Sequence, residues 1–114
     1  MLSDQLMVDV AQFIKEKIAT AEVVFDDERV EEVQIMNKRV VGSVLQVNVT
    51  TTKGIGTIKD IRLKDAKGII LLSKPRERVK TTGYALVSSF YIKITEEEIA
   101  NPLNIIEIKE GLNG

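Results

Sequence analysis

The chain has 114 residues, with 16 Lys+Arg against 17 Asp+Glu, a formal charge of −1, and no His, Cys or Trp. Those absences exclude a Ser-His-Asp or Cys-His relay, a thiolate nucleophile, a disulfide scaffold and an ordinary zinc site. Near-neutral charge gives no long-range attraction to nucleic acid or an anionic membrane, so binding of that kind would need a local patch.

The chain opens with its only long helical period: Leu6, Val10, Ile14 and Ile18 recur every four residues, and Met7 and Phe13 widen the stripe. Ser3 is placed to cap it. Asp4 and Asp9 lie toward the N-terminal end and Lys15 and Lys17 toward the other, as the helix dipole favours. An amphipathic helix is predicted over Ser3 to Thr20. The opening lacks the basic start and unbroken apolar core of a signal peptide, and no window approaches the roughly 18 apolar residues of a membrane span.

Beyond Thr20 the composition turns to Val, Ile and Thr, which supply 35 of the 114 residues, nearly all after the helix. That bias favours strands. Ala21 to Phe25 reads as a short strand and Asp26-Asp27-Glu28 as a solvated turn. Val33 and Ile35 alternate with Glu32 and Gln34, and Asn37-Lys38 is expected to turn the chain into a strand over Val40 to Thr50. In it, Leu45, Val47 and Val49 share one face and Gln46, Asn48 and Thr50 the other. After a break at Thr51 to Gly54, the next strand covers Ile55 to Lys64, with Ile61 and Leu63 inward. Asp65-Ala66-Lys67-Gly68 supplies a turn into Ile69 to Leu72, so 58–73 reads as a hairpin. Lys74-Pro75 is expected to interrupt the ladder at an edge or in a crossing loop. A last strand spans about Ala85 to Thr95, with Phe90, Ile92 and Ile94 facing opposite to Tyr91 and Lys93. Glu96 to Glu98 can start a helical turn stopped by Asn101-Pro102, and Leu103 to Ile108 is apolar but ambiguous.

The expected architecture is α+β: one domain over 1–114, with a helix over about 3–20, a mostly antiparallel β-sandwich or sheet of about six strands over 21–109, and a frayed tail over 110–114. A (β/α)8 barrel, such as that of ketopantoate hydroxymethyltransferase, needs about 250 residues and alternating helices, and does not fit this pattern.

The most unusual local feature is Lys74, Arg76, Arg78 and Lys80, four cations at two-residue spacing. On an extended segment they share one face, either as an anion-binding strip or as an edge strand defended by charge. The defensive reading is favoured, since Glu77 falls within the strip and only Tyr84 and Tyr91 stand nearby as stackable rings, which disfavours nucleic acid. The acidic groups Asp26 to Glu28 and Glu96 to Glu98 lack the alternating spacing of a calcium loop, and no metal or cofactor is expected. Gly54 and Gly56 form a G-x-G without the rest of a phosphate loop, so a strand-entry turn is the better explanation. Leu6, Val10, Ile14 and Ile18 are expected to pack on the chain's own sheet, the alternative being a partner's helix in a ring or trimer.

The run Ile58-Lys59-Asp60-Ile61-Arg62-Leu63-Lys64-Asp65-Ala66-Lys67-Gly68-Ile69-Ile70, followed later by Phe90-Tyr91-Ile92-Lys93-Ile94, resembles small β-sandwich modules of tail-fibre and baseplate proteins in tailed bacteriophages. The opening Met1-Leu2-Ser3-Asp4-Gln5-Leu6-Met7 and its helix look like the start of short prophage proteins of Gram-positive bacteria. The resemblance implies a non-enzymatic virion component, assembled in the bacterial cytoplasm with other tail or baseplate proteins as a symmetric homo-oligomer; no membrane partner is expected, and the composition disfavours nucleic acid. Two rivals remain: a binding adaptor or regulator that uses the 74–80 strip to hold an acidic protein or a nucleic acid, and a carboxylate or lysine enzyme, which needs a pocket where two pKa values are pushed apart.

Overall fold

The computed structural model describes residues 3–95. The expectations for 96–98, 101–102, 103–108 and the tail lie outside those residues. A single helix, α1 (Asp4–Lys17), precedes six strands: β1 (Thr20–Phe25), β2 (Val30–Val41), β3 (Val44–Thr51), β4 (Gly56–Lys64), β5 (Ile70–Lys80) and β6 (Leu86–Lys93). All pairings are antiparallel, in the order β5-β4-β1-β2-β3-β6. The fold is α+β, and the sheet curls into a nearly closed barrel. Residues 81–85 link β5 directly to β6, the two outer strands of that order, which requires the edges to come close.

Helix α1 is shorter than the apolar period suggested. Ser3 caps it, its hydroxyl accepting from Leu6 N at 3.1 Å, but Ile18 is already extended and Thr20 belongs to β1. Lys38, on β2, stops the other end: its Nζ donates to the carbonyls of Lys15 (3.0 Å) and Ile18 (2.6 Å). A cation on the last carbonyls satisfies two acceptors that a helix end leaves open and complements the dipole. The backbone N–H of Ala19 then donates to Lys64 O at 2.8 Å, so the chain leaves the helix straight into the sheet.

The expected turn at Asn37-Lys38 is a correction. Strand β2 runs through it, and the register slips between Ile35 and Asn37 at an extra residue, Met36. The real turn is Gly42-Ser43, with Gly42 at φ +59, the left-handed conformation a two-residue hairpin takes at this position. The expected strand over Val40 to Thr50 is therefore the end of β2, a turn and β3. Lys74-Pro75 leaves β5 continuous, but the ladder is interrupted there as expected: past Pro75 two residues of β5, Arg76 and Glu77, stand against Lys59 alone. Pro75 pairs opposite Asp60, and β5 tolerates it because β5 is an edge strand.

The core fills the barrel. Ala21, Val23 and Phe25 from β1, Leu45, Val47 and Val49 from β3, and Ile58, Ile61 and Leu63 from β4 are all buried, with Phe90 from β6 and Ala11 and Ile18 of the helix segment. Phe25 explains the G-x-G. A Cβ at Gly54 would lie 2.9 Å from Phe25 Cζ and one at Gly56 3.2 Å from Phe25 Cδ1, so the missing side chains make room for the ring. The Arg29 guanidinium covers the ring at 4.2 Å from its centroid.

Candidate functional site

Barrel closure fails between β5 and β6. No backbone ladder joins them, and side chains span the gap instead: Lys74 Nζ donates to Ser89 O, and Arg78 Nη1 donates to Val87 O (2.8 Å) and Ser88 Oγ (3.2 Å). The carbonyls of Val87 and Ser89 point toward this seam, where a neighbouring strand's N–H groups would otherwise meet them. The Lys74 ammonium also sits 5.4 Å from the centre of the Phe90 ring.

A groove of about 390 Å³ lies along the seam. Lys74, Arg76 and Arg78 form its β5 wall, Ser88, Ser89 and Tyr91 its β6 wall, and Ile61 contributes apolar surface between them. Among the described residues no carboxylate lines it; Glu77 is exposed and is not part of the wall. Burial pushes the Lys74 ammonium below its usual pKa, and the Arg76 and Arg78 charges push it the same way. The three cations are held together against their mutual repulsion.

Of the four cations singled out in the sequence, three meet in this groove. Lys80 does not: it is buried at the end of β5, opposite Gly56, where its Nζ donates to Thr81 O at 2.6 Å. Of the opposite wall, Tyr91 stands beside the strip already in the sequence, whereas Ser88 and Ser89 do not, and their one signal is a polar pair in the middle of β6. The carboxylate nearest in register, Asp60, belongs to a separate cluster. It accepts from Arg62 Nε at 2.9 Å and from Ser73 Oγ at 2.8 Å. Burial alone would raise its pKa, but the Ser73 hydroxyl and the Arg62 guanidinium together hold it below the usual value.

The four helix positions divide. Ile18 is fully buried and Ile14 packs against the core, whereas Leu6 is 44% exposed and Val10 37%. The inward face is Met7, Ala11, Ile14 and Ile18. Leu6, Val10 and Phe13 form a second, wet stripe beside it, and Phe13 is 65% exposed. Phe13 stands over an apolar groove of about 320 Å³ with Ile14, Leu71, Leu72 and Ile92. Ile69 and Ile70, just before Leu71, are exposed as well.

Among the described residues no group of three or more acidic side chains is gathered for a metal, and Asp26 to Glu28 form an exposed turn in which Asp27 accepts from Arg29 N at 3.1 Å. No described helix is long and apolar enough to cross a membrane. No family model, curated protein or solved structure matches the chain.

Proposed function

We propose that the chain is a non-catalytic assembly module that works as a homo-oligomer within a larger particle. The observation that carries this reading is the apolar groove between α1 and the strands β5 and β6. Phe13, Val10 and Leu6 leave the core and face solvent beside a groove of aliphatic side chains, the kind of contiguous patch that marks a protein contact. A net charge of −1 puts little repulsion between copies. The resemblance of the 58–70 hairpin and the 90–94 strand to tail-fibre and baseplate modules supports a finer reading, a tail or baseplate component of a phage or prophage virion, assembled in the bacterial cytoplasm.

Chromatography with light scattering tests it. A stable multiple of the 12.7 kDa chain is expected, falling to the monomer in the double variant Val10→Ser/Phe13→Ser. A wild-type chain that stays monomeric at every concentration, and binds no tail or baseplate protein, overturns the reading.

A further inference from the structure

We propose that the groove between β5 and β6 holds an extended, carboxylate-bearing segment of a partner protein. This deepens the assembly reading by naming a partner chemistry, and its site is separate from the apolar patch on α1.

Three observations converge on it. First, no backbone ladder joins β5 to β6, so apart from the Val87 and Ser89 carbonyls taken by Arg78 and Lys74 the two edges meet no strand, and an unpaired edge is a template for extended chain. Second, the β5 wall presents Lys74, Arg76 and Arg78 to one space lined by no described carboxylate, so an incoming acid meets charge that nothing there neutralises. Third, the three cations are not equivalent. Lys74 and Arg78 donate to β6 and help close the seam, which edge defence alone would account for. Arg76 donates to no described residue, stays exposed and still lines the groove. Its planar fork of donors matches a carboxylate in two-point contact.

On the facing wall the exposed Tyr91 keeps its O–H to donate to the backbone of such a segment, and Val87, exposed as well, offers apolar contact. A nucleic-acid strand is the poorer fit. Among the described residues Tyr91 is the only aromatic one of the groove wall, whereas single-strand binders set several rings among their cations.

The test uses the full chain and a fluorescent short peptide alternating Glu with Val, followed by anisotropy. Saturable binding that weakens with added salt is expected, with no binding of the same peptide carrying Lys in place of Glu. Arg76→Glu should weaken binding by about tenfold or more, and Arg76→Lys by less, because charge is kept and the fork is lost. Since Arg76 is exposed, both variants should keep the wild-type circular dichroism and melting temperature. Equal binding of the Glu and Lys peptides overturns the proposal, as does unchanged affinity in a folded Arg76→Glu chain. Inorganic phosphate or a single-stranded oligonucleotide displacing the Glu peptide at lower concentration than unlabelled Glu peptide also overturns it, and marks a phosphate site instead. The oligomer measurement stands apart: a wild-type chain that stays monomeric at every concentration yet binds the Glu peptide defeats the homo-oligomer and leaves the groove intact.

Discussion

Strand β1 has hydrogen-bonded neighbours on both sides, and its side chains are buried from Ala21 to Phe25; β5 has a neighbour on one side only, and its free edge carries Lys74, Arg76 and Arg78 toward β6. One barrel thus contains a wall made by backbone ladders and apolar packing, and a seam bridged by cationic side chains. The two should answer differently to substitution. In the wall a deleted side chain leaves a hole that close packing cannot fill. At the seam a deleted charge gives back its desolvation cost, which offsets the hydrogen bond lost.

The largest effect is expected at the wall. Phe25→Ala should cost about 3–5 kcal/mol in urea unfolding, the range for emptying a packed aromatic site; a loss under about 1 kcal/mol would show that β1 is no better packed than the seam. Gly54→Ala comes next, at about 2 kcal/mol, because φ +88 disfavours any side chain and the new Cβ meets Phe25. Lys38→Met should cost about 1–2 kcal/mol by leaving the Lys15 and Ile18 carbonyls without their donor, and α1 should fray from that end in hydrogen exchange. At the seam, Lys74→Met should change stability by less than about 1 kcal/mol.

Lys74 also gives the smallest and sharpest contrast, through pH. Its folded pKa lies below the usual 10.5, so between those two values the folded state binds fewer protons than the unfolded state. Wild-type stability should therefore rise relative to Lys74→Met as pH climbs through that window. Asp60 carries the same sign at the acid end: its folded pKa lies below 3.8, so its contribution is present above that value and is lost as pH falls through the folded pKa. The stability difference between wild type and Asp60→Asn should shrink over that acid range, and a difference that persists at the acid end would break the assignment.

Much of the wall was legible in the residues. Leu45, Val47 and Val49, and Ile61 with Leu63, alternate as buried strand residues must, and Asp65-Ala66-Lys67-Gly68 turns where its chemistry says, with the Asp65 carboxylate accepting from the backbone of Lys67 and Ile69. The helix face was less legible for a geometric reason. A repeat of four residues advances about 40° past a full turn each time, so Leu6 and Ile18 end about 120° apart and cannot share one seam. The small residue Ala11, buried at the centre of the true face, carries no hydrophobic bulk to announce itself. Asn37-Lys38 looked like a turn because both are polar, whereas Lys38 is an inward cation with a task at the helix end. The spacing of Lys74, Arg76 and Arg78 was plain, but which strand would face them depends on how far the sheet curls, and that is a property of the whole barrel.

The strand order has a further consequence, for the path by which the chain folds. The pairs β1 with β2, β2 with β3, and β4 with β5 join neighbours in sequence, whereas β1 must find β4 and β3 must find β6 across long intervening loops. Closing such loops is what slows folding of β-rich chains. We expect a three-stranded meander and a two-stranded hairpin to form early and dock through β1 and β4, with β6 arriving on β3 last. In pulse-labelled hydrogen exchange, the amides of β6 should then gain protection after those of β2, so the last strand to be placed would be one that borders the binding groove.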